Sequence, residues 1–215
     1  LIAYKKGRHK LSRELKAYFE DSLEYFFETL NREPQPINFH ILSKRAFKLD
    51  DPRDIRAYTQ ISSREVVLNA GKFFKKYDLV EAESFIGVVL HELVHCSHLC
   101  GNENWFPRWF KDGLADYLSA RSAGASTFLN YKHMHSDLFA KNDFFKLLSY
   151  EQPEFERDLI YGAYALFVQE LVERHGMNLA EVANTGVLPG NLQELSQEFL
   201  SFHFQDIQKS FKCIA

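Results

Sequence analysis

The feature that most constrains this chain is an apolar segment, SFIGVVLHELVHCSH at 84–98, which carries three histidines and a glutamate. Its apolar residues fall on nearly every side of a helix, and such a helix lies in the core of its domain. The pattern predicts a helix over residues 82–98. Because buried polar side chains are costly unless they are satisfied, the HELVH motif at 91–95 indicates a specific role for its polar residues.

The spacing within HELVH is that of a metal site. His91 and His95 lie four positions apart, so their imidazoles leave one face of a helix and can reach one ion at about 2.0–2.1 Å. Glu92 lies about 100° further round the helix, where it can act on a water molecule without binding the ion. Composition alone predicts only about 0.03 such motifs in this chain. The motif therefore predicts one Zn²⁺ ion. The alternative is that no metal binds and that hydrogen bonds to neighbouring residues satisfy these polar side chains in a buried helix.

A third ligand is needed, because a catalytic zinc ion usually takes three protein ligands and keeps one position for water. Asp112 is the candidate, since the 16 residues from 96 to 111 can end one helix, turn and return a second helix beside it. Asp116, one turn later, would share its face and accept the free N–H of a liganding histidine. For both aspartates the alternative is a solvated helix face.

Two other residues compete with Asp112 for this role. His98 would require the helix to break early, because an unbroken helix places its Cα about 10 Å along the axis from that of His91. Glu103 would have to reach the ion from the loop GNEN at 101–104. Both remain open as third ligands.

The order of secondary structure predicts an α+β fold, because strand-like patterns come first and helical patterns follow. One domain over 1–215 is expected, with an N-terminal helix and sheet at 1–80, active-site helices at 82–123 and a helical part at 124–215. The predicted strands are 37–42, 57–61 and 64–70, and the predicted helices are 11–30, 82–98, 107–123, 136–149, 155–175 and 191–204.

Charge and hydropathy restrict the partners. The formal net charge is −3 and the pI is about 6.3, so no basic field attracts nucleic acid. No run of about 18 apolar residues is present, so no membrane span is predicted. The residues 1–8, LIAYKKGR, are interpreted as the trimmed end of a signal or anchor segment or as an arbitrary boundary. The compartment is undetermined, with a slight preference for the cell envelope or an extracytoplasmic space.

HELVH followed by WFKDGLADYLSA at 109–120 resembles the gluzincins, the thermolysin-like zinc metallopeptidases, in which a helix with W-L-x-E-G-x-A-x-Y follows HExxH. The resemblance implies a zincin-like fold, His91 and His95 as zinc ligands and Glu92 as general base. Asp112 stands where the family has a glutamate ligand, one methylene longer, and Asp116 matches the aspartate of the family's ExxxD pattern.

The resemblance also extends beyond the metal motif. The segment 159–176 is similar to the long C-terminal helix of small gluzincin-like proteins, which implies Tyr161 as a donor to the transition state, with Tyr164 as the near alternative. Both tyrosines are equally compatible with core packing. The strand at 64–71 is expected to form the sheet edge along which the family binds an extended peptide.

The expected activity is hydrolysis of a peptide or protein substrate by a zinc-activated water with Glu92 as the base. The alternative is a zincin-like domain that cleaves weakly or not at all and binds a protein or peptide partner. Asp112, the shorter ligand, favours that alternative, whereas the intact Glu92 argues against it.

Overall fold

A computed structural model describes residues 2–4, 12–43, 45, 57–69, 79–98, 106–122, 157–199 and 201. The chain divides into two compact units, Leu1–Asn104 and Trp105–Ala215. The HELVH helix belongs to the first unit, and the helix with Asp112 belongs to the second. The predicted α+β class is confirmed, whereas the single zincin-like domain remains a prediction. The predicted helix at 136–149 lies outside the described residues.

The first unit contains a mixed four-stranded sheet. Its strands are β1 (Ile2–Tyr4), β2 (Ile37–Leu42), β3 (Ala57–Gln60) and β4 (Glu65–Asn69), in the spatial order β1-β2-β4-β3. β1 and β4 both run parallel to β2, and β3 runs antiparallel to β4. β2 matches its prediction, while β1 was not predicted, because the segment 1–8 was interpreted as a trimmed leader or boundary.

The predicted sheet edge is wrong. The segment 64–71 contains β4, which pairs with β2 on one side and with β3 on the other. In the sheet as far as it is described, the terminal strand on this side is the antiparallel β3. The hydrophobic pattern of VVLN shows that a strand is buried, but it does not show which strands lie beside it.

Among the described residues of this unit, two helices pack on the sheet. α1 (Arg13–Thr29) begins at Ser12, whose hydroxyl accepts a hydrogen bond from the Leu15 N–H at 3.2 Å. A hydrogen bond from its backbone and one from Ser12 lower the pKa of Glu14 in the first turn. Phe19 of α1 stacks on Phe39 of β2 at a ring distance of 6.4 Å. The sheet face that bears Phe39 is therefore the face covered by α1.

The HELVH segment lies on the second of these helices, α2 (Leu79–His98), which packs against α1, β3 and β4. Its apolar residues Val89, Leu90, Leu93 and Val94 are fully buried. The prediction of a core helix is confirmed, with a start three residues earlier than predicted. Each fully buried large aliphatic side chain contributes about 1.5–3 kcal/mol, so this packing stabilises a helix that also carries polar residues.

The second unit is helical where it is described. Its helices are α3 (Arg108–Ser122), α4 (Arg157–Glu173) and α5 (Leu179–Thr185), and residues 192–199 are also helical. α3, α4 and the last helix agree with their predictions. α5 was not predicted; Asn178 caps its start, and Gly186 ends it in the left-handed conformation with φ of 72°.

α3 and α4 are in backbone contact at Gly113. A Cβ atom added to Gly113 would lie 2.6 Å from the carbonyl oxygen of Tyr164. No side chain fits at that distance, so glycine is required for these two helices to approach so closely. The glycine next to Asp112 therefore sets the packing of the helix that carries this aspartate.

Gly113→Ala is expected to lower the free energy of unfolding by about 1–3 kcal/mol, because the added methyl group forces the α3 and α4 backbones apart. Gly87→Ala is a matched control on α2, where an added Cβ meets nothing within 4 Å. That control is expected to be neutral or to stabilise by up to about 1 kcal/mol, since alanine favours a helix over glycine. Urea unfolding of both variants tests the difference, and equal stabilities would contradict the close packing.

None of the helices in the described part of the chain is long and apolar enough to cross a membrane.

Candidate metal centre

His91 and His95 bring their ring nitrogens together on one side of α2. The two Nε2 atoms lie 3.0 Å apart, and the ring planes are 83° from each other. Both side chains are partly exposed, although their neighbours in the helix are buried. The predicted four-residue spacing therefore places both imidazoles at one accessible point beside the apolar core.

The distance between the Nε2 atoms fits a shared metal ion. Two nitrogens bound at 2.0–2.1 Å to a tetrahedral ion lie about 3.3 Å apart, and a hydrogen bond between the rings accounts for 3.0 Å equally well. Imidazole nitrogens in this arrangement suit zinc, copper, iron or nickel better than magnesium or calcium, which prefer oxygen ligands. The donor set of α2 thus fits the predicted Zn²⁺ ion.

Glu92 is buried between the helix and the sheet, with 9% of its surface exposed. Its Oε2 atom lies 2.5 Å from the Thr59 hydroxyl, which also lies 3.0 Å from the carbonyl oxygen of Glu92. A buried carboxylate is costly without a hydrogen-bond donor, and Thr59 supplies one. The carboxylate is therefore held by β3 of the sheet.

Thr59 is the residue of this site that the sequence interpretation missed. It lies in β3, separated from Glu92 by 33 residues. Its pairing with Val66 of β4 puts its side chain on the same sheet face as Val66, which is fully buried. The alternation in AYTQ could have indicated that face, but no local signal pairs a threonine with a distant glutamate.

Asp112 and Asp116 lie on α3 in the second unit, one helical turn apart. The Asp112 side chain is 13% exposed, and the Arg108 Nε atom lies 3.2 Å from its Oδ2 atom. Asp116 is partly buried. Both side chains are partly exposed, and the contact with Arg108 orients one oxygen of the Asp112 carboxylate.

The structure describes some of the other predicted site residues, namely the alternative third ligands and the proposed transition-state donor, but not all of them. α2 continues without a break to His98, so the early helix end that this alternative required does not occur. Glu103 lies outside the described residues. Tyr161 is on α4, but its side chain also lies outside the described part of the structure, whereas Tyr164 is 3% exposed and packs beside Gly113. Core packing is therefore the observed role of Tyr164.

No protein-family model and no curated protein matches this chain. The gluzincin resemblance therefore remains an expectation from the HELVH and WFKDGLADYLSA motifs.

Proposed function

We propose that this chain is a zinc-dependent metallopeptidase in which His91, His95 and Asp112 hold one Zn²⁺ ion and Glu92 is the general base. The observation that carries the proposal is the 3.0 Å approach of the two Nε2 atoms beside a buried glutamate. A buried glutamate beside two histidines is costly for a helix unless these polar groups are satisfied or used. A buried position selected only for stability would hold an apolar residue in place of Glu92.

Each residue has a defined role in the proposed reaction. A bound zinc ion would acidify a water molecule and polarise the carbonyl group of the substrate. Glu92 accepts the proton of the water and then delivers it to the leaving amine. Tyr161 donates a hydrogen bond to the oxygen on which negative charge develops. The substrate is a peptide or protein.

The α3 carboxylates complete the proposed centre. Asp112 would bind the ion through one oxygen, while its other oxygen, Oδ2, accepts from the Arg108 guanidinium at an Nε to Oδ2 distance of 3.2 Å. Asp116 would accept the N–H of a liganding histidine, and such a contact would determine which ring nitrogen binds the metal. Because aspartate is one methylene shorter than glutamate, its zinc affinity is expected to be lower than that of a glutamate ligand.

Zinc content and peptidase activity test the proposal together. The purified chain is expected to hold one zinc ion per molecule and to cleave members of a mixed peptide library. Dialysis against a chelator should remove the zinc and abolish cleavage, and added Zn²⁺ should restore both. Zinc is measured by elemental analysis and cleavage by mass spectrometry of the products.

Two results would contradict different parts of the proposal. A chain that binds no divalent ion has no metal centre. A chain that binds zinc stoichiometrically but cleaves nothing is instead the zinc-containing binding domain considered above. The double variant His91→Ala, His95→Ala is the control for adventitious zinc, because it keeps every other surface residue.

A further inference from the structure

The side chains of Thr59 on β3 and Glu92 on α2 are in contact. Thr59 lies in β3, where main-chain pairing with β4 sets its position. Glu92 has a long side chain with three rotatable bonds, and its position on α2 does not determine where its carboxylate lies. A contact between the two therefore orients the glutamate, whereas the threonine is already held by the sheet.

The Thr59 hydroxyl is close to two oxygen atoms of Glu92, one in its side chain and one in its main chain. It lies 2.5 Å from Oε2 of Glu92 and 3.0 Å from the main-chain oxygen of Glu92. A hydroxyl has one proton, so it donates to one of these oxygens at a time. A hydrogen bond to a charged carboxylate is stronger than one to a carbonyl, so the carboxylate is the favoured acceptor. The Glu92 side chain is therefore directed towards β3.

The face of β3 on which Thr59 lies is directed at α2. Tyr58, the preceding residue, packs against the cluster of Leu42 and Val67 on the opposite face of the sheet. Thr59 pairs with Val66, which is fully buried on the helix side. The alternation of a strand thus leaves Thr59 as the one hydroxyl that β3 directs at the glutamate.

We propose that Thr59 is a positioning residue for Glu92 and holds its carboxylate in the orientation needed for proton transfer. This inference rests on the proposed function, because Glu92 is the base only if the chain hydrolyses peptides. Placement of a catalytic group matters because a small displacement from the productive geometry costs a large factor in rate. Thr59 itself contacts neither substrate nor metal in this proposal.

Three variants test the role of the hydroxyl. Thr59→Val keeps the branched shape and removes the hydroxyl, Thr59→Ser keeps the hydroxyl, and Ser63→Ala removes an exposed hydroxyl from the adjacent turn. We expect Thr59→Val to lower kcat about tenfold or more with KM and zinc content unchanged, because the interaction is needed only for the chemical step. Thr59→Ser should recover most of kcat, and Ser63→Ala should equal the unmodified chain.

Crystal structures of the zinc-loaded chain and the two Thr59 variants give a readout that does not depend on activity. The Glu92 carboxylate is expected to contact the hydroxyl in the unmodified chain and in Thr59→Ser and to change its side-chain dihedral angles in Thr59→Val. An unmoved carboxylate in Thr59→Val, or equal kcat values for Thr59→Val and Thr59→Ser, would overturn the inference. If no chain cleaves peptides, the proposed function fails, and the carboxylate orientation still decides whether Thr59 positions Glu92.

Discussion

Glu92→Gln is expected to lower kcat for peptide cleavage by roughly 10³-fold, the middle of the range for loss of a general base. Glutamine keeps the size of the side chain and an oxygen that can accept the hydrogen bond from Thr59, which is 2.5 Å long in the unmodified chain. It cannot take a proton from water. The loss should therefore appear in kcat, with little change in KM and with zinc still bound at one ion per chain.

The kinetic comparison needs a control for the change of charge. Glu24→Gln on α1 removes an exposed carboxylate of the same type and is expected to leave kcat and zinc content unchanged. The kcat of all three chains is measured by steady-state cleavage of the library peptide that is cleaved fastest. Equal activity of the unmodified chain and Glu92→Gln would remove Glu92 as the base, and retained zinc would then show that the metal centre is independent of that role.

Asp112→Ala is expected to weaken zinc binding by more than 100-fold, because even changes to residues that only contact a ligand cost 10- to 100-fold. The two imidazoles on α2 cannot by themselves satisfy the three protein ligands of a catalytic zinc ion. Peptidase activity at a fixed, limiting zinc concentration should fall in parallel. Competition with a chelator of known affinity measures the binding constant.

Matched variants separate the three candidates for the third ligand. His98→Ala and Glu103→Ala are expected to bind zinc as the unmodified chain does. Asp112→Glu should retain zinc, because it restores the longer side chain of the resembled family. Normal zinc affinity in Asp112→Ala, with a loss in either of the other two alanine variants, would assign the ligand to that residue instead.

The local parts of the site were predictable from the sequence. The spacing of His91, Glu92 and His95 follows from 3.6 residues per turn, and the apolar residues around them indicate burial. Both expectations hold in α2, where the Nε2 atoms meet and Glu92 is 9% exposed. Such patterns are set within one helix, so no knowledge of the remaining chain is needed.

Strand order was not predictable in the same way. A period-2 pattern identified β2, β3 and β4 to within one residue or two, but the segment 64–71 was placed at the edge when β4 is internal. Alternation reports which side chains are buried, whereas neighbours in a sheet depend on main-chain pairing between distant segments. The short β1, with three residues, carries too little pattern to be recognised.

The sequence by itself determined which groups lie together on α2: two imidazoles one turn apart, a glutamate beside them and a core helix that holds all three. The tertiary structure alone decided that the Thr59 hydroxyl meets this glutamate across 33 residues and that Gly113 lets α3 lie against the backbone of α4. The physical reason is one of range. Helical spacing is a property of a few consecutive residues, whereas a hydroxyl on one strand and a carboxylate on a helix meet only when the sheet and helix have packed.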